Sequence, residues 1–253
     1  MPERIRSLLR KAGIEAYRYS IHTSAAAQLE RLLEHLHVDL VLDVGANRGQ
    51  YAAQLRVHGY AGRIVSFEPL AAAHAQLTAA ARKDPGWSVA PRMALGASAG
   101  EIEIHVSGNS FSSSILDMLP EHEQAAPGSG YVASETVSLK RLDEAAGEIL
   151  TGSRNVLLKI DTQGYEDQVL AGASALLPRL TAIQTELSLV PLYAGQPLFD
   201  EMRAKIEALG FVLFAVFPGY VHEQTGQTLQ IDGFFVRRDQ AAAFSSRRAR
   251  NSR

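Results

Sequence analysis

A glycine-rich turn follows the first predicted buried strand, and its residue types suit a ligand-binding loop. Leu40–Val44 is a short apolar run, interrupted only by Asp43, that ends at Gly45, and Gly49 follows before a helical pattern begins. Glycines in such a turn let the backbone approach a ligand, and the following helix points free N–H groups at it. Glu68 ends the next predicted strand, 25 residues after Asp43, where a carboxylate can accept hydrogen bonds from both hydroxyls of a ribose. The combination predicts a nucleoside-containing ligand, although each residue alone also fits a tight turn or a helix cap.

The spacing of the glycines discriminates between nucleoside cofactors. A dinucleotide fingerprint needs a middle glycine that makes room for the pyrophosphate, and this chain has Asn47 at that place. The spacing therefore argues against a nicotinamide-dependent sugar oxidoreductase. Asp43 would also repel a pyrophosphate but would favour a cation. S-adenosylmethionine carries an ammonium and a sulfonium group and no phosphate, so it is the predicted cofactor.

Seven short segments, spread between residues 40 and 237, carry a resemblance to a known family. They are Asp43–Tyr51, Ser66–Pro69, Ala94–Gly96, Arg141–Asp143, Leu158–Glu166, Gln184–Ser188 and Asp232–Phe235. With these segments the chain resembles the FkbM family within the class I S-adenosylmethionine-dependent methyltransferases. The block Lys159-Ile160-Asp161 is the most characteristic of them.

The resemblance implies O-methylation of a hydroxyl on a sugar, a glycolipid or a related natural product, so a carbohydrate or glycolipid acceptor is the expected partner. It also implies that the turn after the first strand wraps the methionine part of the cofactor, that Glu68 binds the ribose, and that Ala94 lies near the adenine. For Ala94, a strand end that turns at Gly96 is the alternative. The predicted cofactor-binding residues are Asp43, Gly45, Ala46, Asn47, Gly49, Glu68, Pro69 and Ala94.

An alcohol is a poor nucleophile, so a base or a metal is expected beside the cofactor. Asp161 follows the predicted strand Val156–Ile160, and Glu186 lies near the end of the next one. We predict both carboxylates to be catalytic and, together, to hold Mg²⁺ with waters and sugar oxygens. As alternatives, Asp161 could cap the following helix and Glu186 could pair with Lys159 or an arginine. The same acidic strand ends argue against a second function, that of a non-catalytic cofactor-binding partner in a biosynthetic complex.

Three further groups are candidates for the site. His122, in a polar segment, could act as a mobile general base, since histidine titrates in the useful range; a solvated loop histidine is the alternative. Ser110–Ser114 could bind hydroxyls or the cofactor carboxylate, or could simply be turn residues. Asp232 precedes Gly233 and fits a turn or bulge better than a ligand.

Strands and helices alternate along the chain, as a mainly parallel sheet requires. The last two strands are separated by a loop alone, which predicts a hairpin and one antiparallel strand. The pattern agrees with the α/β fold that the family implies: a Rossmann-like seven-stranded methyltransferase sheet, mainly parallel with a reversed last strand, and helices on both faces. The predicted strands are Leu40–Val44, Arg63–Phe67, Trp87–Pro91, Val156–Ile160, Thr181–Leu187, Phe211–Phe217 and Leu229–Val236, and the predicted helices are Gln50–Val57, Leu70–Lys83, Tyr165–Ala173 and Leu198–Leu209.

The chain's 253 residues suit one large domain or two small ones, and the motifs favour one. We predict an N-terminal helical extension over 1–38, in which Ser24 caps a helix, a methyltransferase domain over 39–238, and a basic tail over 239–253. Within the domain, 97–142 lacks a helix–strand rhythm apart from one strand, Glu101–Val106. It is predicted to be an inserted loop region that shapes the substrate site.

Composition excludes several classes of function. With 25 Lys and Arg against 27 Asp and Glu, the formal net charge of −2 disfavours a nucleic-acid partner. The absence of cysteine excludes thiolate catalysis and leaves oxygen and nitrogen groups to activate the acceptor. The apolar runs in the sequence are too short to span a membrane, so we predict a cytoplasmic protein. The basic N-terminal helix and the tail Arg247–Arg253 could touch an anionic membrane weakly, with solvated ends as the alternative; the oligomeric state stays open.

Overall fold

The computed structural model describes residues 3–242, and strands and helices alternate through most of that range. The strands are β1 Leu40–Val44, β2 Arg63–Phe67, β3 Trp87–Val89, β4 Ala94–Leu95, β5 Gly100–Ser107, β6 Tyr131–Lys140, β7 Val156–Ile160, β8 Leu180–Ser188, β9 Phe211–Pro218 and β10 Gln230–Arg237. The helices are α1 Glu3–Lys11, α2 Ala25–His35, α3 Gln50–Val57, α4 Ala71–Ala81, α5 Pro120–Ala125, α6 Leu142–Ala146, α7 Glu166–Gly172 and α8 Phe199–Ala208, with a short 3₁₀ helix at Leu177–Arg179.

Seven strands form one sheet in the order β3-β2-β1-β7-β8-β10-β9. The pairs that involve β1, β2, β3, β7 and β8 are parallel, whereas β10 runs antiparallel to both of its neighbours. The predicted fold is confirmed, including the reversed strand, which is last along the chain. The predicted hairpin is also confirmed, because β9 pairs with β10.

The sheet is buried on both faces because its central strands are continuous apolar runs. On one face, Leu40 and Leu42 of β1 pack with α6, α7 and α8. On the other face, Val41 packs with α2, α3 and α4. All five residues of β1 are buried, including Asp43, so a carboxylate is held inside an apolar layer close to the end of this strand.

The N-terminal extension consists of two helices with different surroundings. Ser24 caps α2 as predicted, since its Oγ accepts a hydrogen bond from the Ala27 N–H at 3.3 Å. Leu32 and Leu33 of α2 are buried against the sheet. In α1, by contrast, the side chain of Leu8 is 69% exposed. Only the second helix therefore belongs to the core.

The segment 97–142 differs from the prediction of a loop region. It holds β5, longer than the predicted strand, and β6, which the sequence did not predict; together with β4 they form a second, three-stranded sheet. Only the second half of β6 alternates, with Val137 and Leu139 buried, and its first half is mostly exposed. This weak alternation explains why the strand was missed, and the small sheet stands beside the carboxyl edge of the large one.

No helix among residues 3–242 is both long and apolar enough to cross a membrane. The basic tail predicted over 239–253 lies mostly outside the described residues, and all of Arg247–Arg253 does.

Candidate active site

A cleft of about 410 Å³ opens at the carboxyl ends of the parallel strands. Open α/β sheets bind their ligands at this edge. The small sheet and the segment that follows β5 form the opposite wall. The main lining segments are Val44–Asn47 after β1, Phe67–Leu70 after β2, Met93–Leu95, Asn109–Ile115 and Asp161–Gln163 after β7.

Most of the predicted cofactor-binding residues line this cleft, namely Gly45, Ala46, Asn47, Glu68, Pro69 and Ala94. Asp43 and Gly49 lie behind it. Asp43 is fully buried within β1. Gly49 has a φ of +90°, and a Cβ there would lie 2.6 Å from the ring of Trp87, so this glycine allows close packing of α3 against the sheet.

Gly45 brings the turn after β1 against the end of β7. Its φ is +77°, and a Cβ added to it would lie 1.8 Å from the carbonyl oxygen of Asp161. A side chain at this position would therefore push apart the two strand ends that form the floor of the cleft. The structure contains the tight turn that the sequence offered as one alternative, and this turn lines the cleft, as a ligand-binding loop would.

Glu68 is held by the backbone of two segments. Its Oε2 accepts a hydrogen bond from the Asn47 N–H at 2.8 Å, and its Oε1 accepts one from the Leu70 N–H at 2.9 Å. Burial raises the pKa of Glu68 to about 7, against the effect of these two N–H groups. Each carboxylate oxygen still has a lone pair for a further donor. The arrangement is compatible with the predicted contact between Glu68 and the two hydroxyls of a ribose, which stays a prediction.

Lys159 is the cation that faces Asp43. The two residues are partners in the parallel register of β1 and β7, and Lys159 Nζ lies 3.4 Å from Asp43 Oδ1. Ser66 Oγ donates to Asp43 Oδ2 at 3.0 Å. Burial raises the pKa of Asp43, with Lys159 acting in the opposite direction. The sequence argument that Asp43 favours a cationic ligand is therefore corrected: the chain itself supplies the cation.

Both oxygens of Asp161 have a partner. Lys159 Nζ donates to Oδ2 at 3.2 Å, and Gln163 Nε2 donates to Oδ1 at 2.8 Å. Burial opposes ionisation of Asp161, but Lys159 and Gln163 outweigh it and hold its pKa below the ordinary value. Asp161 does not cap α7, because the N–H groups of Thr162 and Gly164 bond to Glu166 Oε1 instead. Asp161 is thus a fixed, ionised carboxylate at the floor of the cleft.

Glu186 lines the same cleft, but its pKa is shifted in the opposite direction to that of Asp161. Gln163 Nε2 donates to its Oε2 at 2.7 Å, so one amide bridges the two carboxylates. Burial raises the pKa of Glu186 well above its ordinary value, and the nearby Asp161 adds to the effect. Among the described residues, Lys159 forms its ion pairs with Asp43 and Asp161, not with Glu186 as the alternative prediction had it.

This arrangement does not fit the predicted Mg²⁺ site. The position between Asp161 and Glu186 that a metal would share is taken by the amide donor of Gln163. Among residues 3–242, no group of three or more acidic or histidine side chains is placed to hold a metal ion. Mg²⁺ prefers near-octahedral oxygen ligands, and an N–H donor in that shell opposes it.

His122 is buried rather than solvated. It lies on α5, its side chain is 3% exposed, and its ring centroid is 5.0 Å from that of Tyr193. Burial lowers the pKa of His122 to about 4, so the ring is neutral near pH 7 and is a weaker base than the sequence argument assumed. His122 lines the cleft, and its participation in the site stays a prediction.

The serine-rich segment closes over the glycine turn. Asn47 Nδ2 donates to the Ser110 carbonyl at 3.2 Å, and Arg48 donates to Ser110 Oγ at 3.1 Å. Asp232 is half-buried opposite Glu186 in the β8–β10 pairing, and burial raises its pKa to about 6. It lies within the ladder of β10, so it is neither a turn residue nor part of the cleft lining.

Two site residues have no clear signal in the sequence. Gln163 is adjacent to Asp161 in the chain, but its bridging role depends on Glu186, which lies on a different strand. Tyr220 reaches the cleft from the loop between β9 and β10 and stands beside His122, with 6.0 Å between the ring centroids. Only the three-dimensional arrangement identifies either residue.

The structure aligns with several solved methyltransferases at low identity. Aeropyrum pernix fibrillarin with bound S-adenosylmethionine is 13% identical with a TM-score of 0.47, over 84% of this chain and 73% of that one. The magnesium protoporphyrin IX methyltransferase from Synechocystis is 11% identical with a TM-score of 0.45, over 92% and 95%. An S-adenosylmethionine-dependent methyltransferase from Mesorhizobium loti is 10% identical with a TM-score of 0.47, over 86% and 100%. Identities and TM-scores this low do not assign a family, so the assignment depends on the sequence.

No curated protein sequence matches the chain significantly. A family model does: the one described as Methyltransferase FkbM domain matches residues 43–213, which is most of the chain and includes both the glycine turn and the carboxylates of the cleft. The cleft also fits the donor that this family uses, because it combines a close backbone approach at Gly45, free acceptor positions on Glu68, and the buried Asn47 Oδ1, which has no hydrogen-bond partner among the described residues. The chain therefore belongs to the FkbM family of S-adenosylmethionine-dependent methyltransferases.

Proposed function

We propose that the protein transfers a methyl group to a hydroxyl oxygen of a sugar, a glycolipid or a related natural product, without a metal ion. The observation that carries this proposal is the unequal pair of carboxylates at the floor of the cleft. Asp161 is ionised and bound at both oxygens, whereas Glu186 has a raised pKa and a shared amide at one oxygen. Pairs of acids whose environments separate their pKa values mark acid and base roles.

A hydroxyl acceptor needs such a base. An alcohol is nearly unreactive until its proton is removed as the new bond forms, and a carboxylate with a raised pKa is a stronger proton acceptor than an ordinary one. Among the described residues, the amides of Gln163 and Gln230 donate to Glu186 at Oε2. Glu186 also bonds to Asp161, and we assign Oε1, which neither amide contacts, to the acceptor. An amine acceptor is already reactive when it is neutral, and a carboxylate acceptor is already reactive when it is ionised. Both therefore have less need of a base during the transfer.

The methyl group moves from sulfur to oxygen in a single displacement. S-adenosylmethionine supplies a methyl group on a positively charged sulfur. The acceptor oxygen forms the new bond to carbon while the carbon–sulfur bond breaks, and sulfur keeps that electron pair. The hydroxyl proton passes to Oε1 of Glu186. Asp161 stays ionised and, with Lys159, fixes the amide of Gln163 that orients Glu186.

The acceptor can be identified by mass spectrometry of glycolipids and soluble glycosides from cells with and without the protein. We expect at least one carbohydrate-containing species to lose the mass of one methylene unit when the protein is absent, and fragmentation to place the methyl on a ring oxygen. If methylation disappeared only from nucleic acid or protein, the proposal would be wrong.

The role of Glu186 is then tested with that acceptor. Transfer by the native protein should rise with pH through the raised pKa of Glu186, because only the ionised carboxylate can take a proton. Glu186→Gln should lower kcat by about 10²-fold or more and abolish this rise. S-adenosylhomocysteine binding, measured by calorimetry, should be unchanged and serves as the control. Binding of S-adenosylhomocysteine without transfer to any hydroxyl in a broad panel would instead favour a non-catalytic cofactor-binding partner.

A further inference from the structure

One end of the cleft holds buried polar atoms that have no partner. His122 Nδ1, His122 Nε2 and Tyr220 Oη are all buried, and none of them forms a hydrogen bond with another described residue. Both side chains line the cleft. Buried polar groups in folded proteins are nearly always paired, and an unpaired one is costly. Three such atoms at one place in a cleft indicate a ligand that supplies their hydrogen bonds.

These groups are held in place rather than free to turn away. The His122 ring packs on Tyr193, and the Tyr193 hydroxyl donates to Gln163 Oε1 at 2.9 Å. Tyr193 is itself fully buried, in a small apolar cluster with Ala125 of α5 and Leu229. The unpaired atoms are thus connected through one side chain to the amide that orients Glu186.

The predicted cofactor residues and the His122 end of the cleft lie on different structural elements. Glu68 and Ala94, the groups predicted to face the ribose and adenine, belong to β2, β4 and the turns beside them. His122 and Tyr220 belong to α5 and to the loop between β9 and β10. Asp161 directly follows β7 and Glu186 lies on β8, and in the order of the large sheet these two strands lie between β2 and the β9–β10 hairpin. A ligand at the His122 end would meet the cofactor at the proposed base.

The charge states of His122, Tyr220 and the nearby carboxylates indicate the chemical class of this ligand. The pKa of His122 is lowered to about 4 by burial, and burial raises the pKa of Tyr220, so both are neutral near pH 7. A neutral imidazole offers one donor and one acceptor, and a phenol offers both. The neighbouring Asp161, whose pKa is held below its ordinary value, disfavours an anion. Neutral hydroxyl groups, which donate and accept at once, match this set.

We propose that His122 and Tyr220 form an acceptor subsite that binds an uncharged, polyhydroxylated ring, such as a pyranose without phosphate or carboxylate groups. The inference rests on the proposed function and adds to it the class of acceptor and the residues that recognise it. The hydroxyl next to Glu186 is the one methylated, and its neighbours on the ring bond to His122 and Tyr220.

The test uses the full chain, labelled with ¹⁵N-histidine and saturated with S-adenosylhomocysteine. Methyl α-D-mannopyranoside, methyl α-D-glucopyranoside and methyl α-L-rhamnopyranoside are titrated in turn, with glucose 6-phosphate as the anionic probe. We expect at least one neutral glycoside to shift the ring ¹⁵N resonances of His122 in a saturable manner, and the phosphate to shift none. Saturation by S-adenosylhomocysteine is measured first, so a failure of cofactor binding is seen separately.

Two variants remove the hydrogen-bonding atoms and keep the rings. His122→Phe and Tyr220→Phe should each weaken glycoside binding by about tenfold or more, which is the effect of one lost hydrogen bond that leaves its partner unpaired, and should leave S-adenosylhomocysteine binding unchanged. His105→Phe is the matched control, because His105 stacks on Tyr131 at 4.7 Å and does not line the cleft. Equal glycoside binding by native and variant proteins would overturn the subsite, as would the failure of every neutral glycoside to bind the saturated protein.

Discussion

Lys159 is the residue on which the buried charges of the site depend. Its ammonium group lies between Asp43, which is fully buried, and Asp161 at the edge of the cleft, and it lies 5.2 Å from the centre of the Tyr51 ring. Burial disfavours the charged form of a lysine, but Asp161 and Asp43 outweigh this and raise the pKa of Lys159 above its ordinary value. One cation therefore opposes the effect of burial on two carboxylates, and for Asp161 it helps to hold the pKa below the ordinary value.

Removal of that cation should destabilise the fold. In Lys159→Met, Asp43 keeps only the Ser66 hydroxyl, and we expect the free energy of unfolding to fall by about 3–5 kcal/mol, as for other broken buried ion pairs. Urea denaturation followed by circular dichroism measures the change. Lys205→Met is the control, since Lys205 is 44% exposed and its surface ion pairs are worth about 1 kcal/mol or less. Equal effects of the two substitutions would contradict the role of Lys159.

Glu68 should make cofactor affinity depend on pH. Because burial raises its pKa to about 7, the carboxylate is partly protonated near neutrality, and only the ionised form accepts hydrogen bonds from both ribose hydroxyls. Affinity for S-adenosylhomocysteine should thus rise between about pH 6 and pH 8 and level off above. Calorimetry at several pH values measures this. Glu68→Gln should bind about tenfold or more weakly and show a flat profile; a native profile that is equally flat would disprove the assignment.

At the scale of elements, the close approach of two strand ends determines the shape of the cleft. The turn after β1 touches the end of β7 at Gly45, Asp161 directly follows β7, and Glu186 lies near the end of β8. The small sheet and α5 cover the opposite side. The parallel sheet thus provides the floor, and the segment 97–142 provides a wall that includes Asn109–Ile115 and His122.

A matched pair of substitutions can distinguish the effect of the close contact at Gly45 from the effect of its positive φ angle. Gly59 has a φ of +85° and open space around a Cβ, whereas a Cβ on Gly45 collides with the Asp161 carbonyl. We expect Gly59→Ala to cost about 1 kcal/mol from backbone strain alone. Gly45→Ala should cost about 3 kcal/mol or more and should reduce S-adenosylhomocysteine binding. Thermal denaturation and calorimetry compare the two; similar losses would show that the contact does not matter.

The parts of the fold that the sequence could predict are those decided by local pattern. Helix α3 and strands β1, β2 and β7 have the predicted bounds, because a short apolar run between turn residues permits few alternatives. Strand β6 was missed because most of its first half is exposed, and its partner strands lie far away in the chain. The burial of His122 and the bridge made by Gln163 are likewise products of tertiary contact. A pattern along the chain can place a carboxylate at a strand end, but it cannot identify the partner of that carboxylate.

At the scale of the whole molecule, charge and apolar exposure are unevenly distributed. Residues 3–21 contain five basic and two acidic side chains, a net charge of +3, so the rest of a chain with net charge −2 carries −5. The same segment exposes Ile5, Leu8, Ile14 and Tyr17. Basic, apolar-exposed helices bind anionic lipid surfaces, which are also where a glycolipid acceptor would reside.

This segment should bind anionic vesicles. We expect the protein to sediment with phosphatidylglycerol-containing vesicles at low salt, to bind less as salt is added, and to bind phosphatidylcholine vesicles weakly. Leu8→Glu should reduce binding several-fold. Val132→Glu is the control, because Val132 is 71% exposed, like Leu8 at 69%, but lies on β6 outside the basic segment. An equal effect of both substitutions, or concentration-dependent self-association that Leu8→Glu abolishes, would assign the surface another role.

The position of β10 has a consequence for the synthesis of the protein. Although β10 is the last strand among residues 3–242, it lies between β8 and β9 and places Asp232 opposite Glu186. Until Gln230–Arg237 has left the ribosome, β9 has no neighbour in the sheet and β8 has an open edge, a state prone to aggregation. A chain that stops short of residue 230 would lack both the joining strand and the support behind the proposed base. The floor of the cleft can therefore be completed only after Gln230–Arg237 has been translated, so products that terminate before residue 230 should be inactive and short-lived.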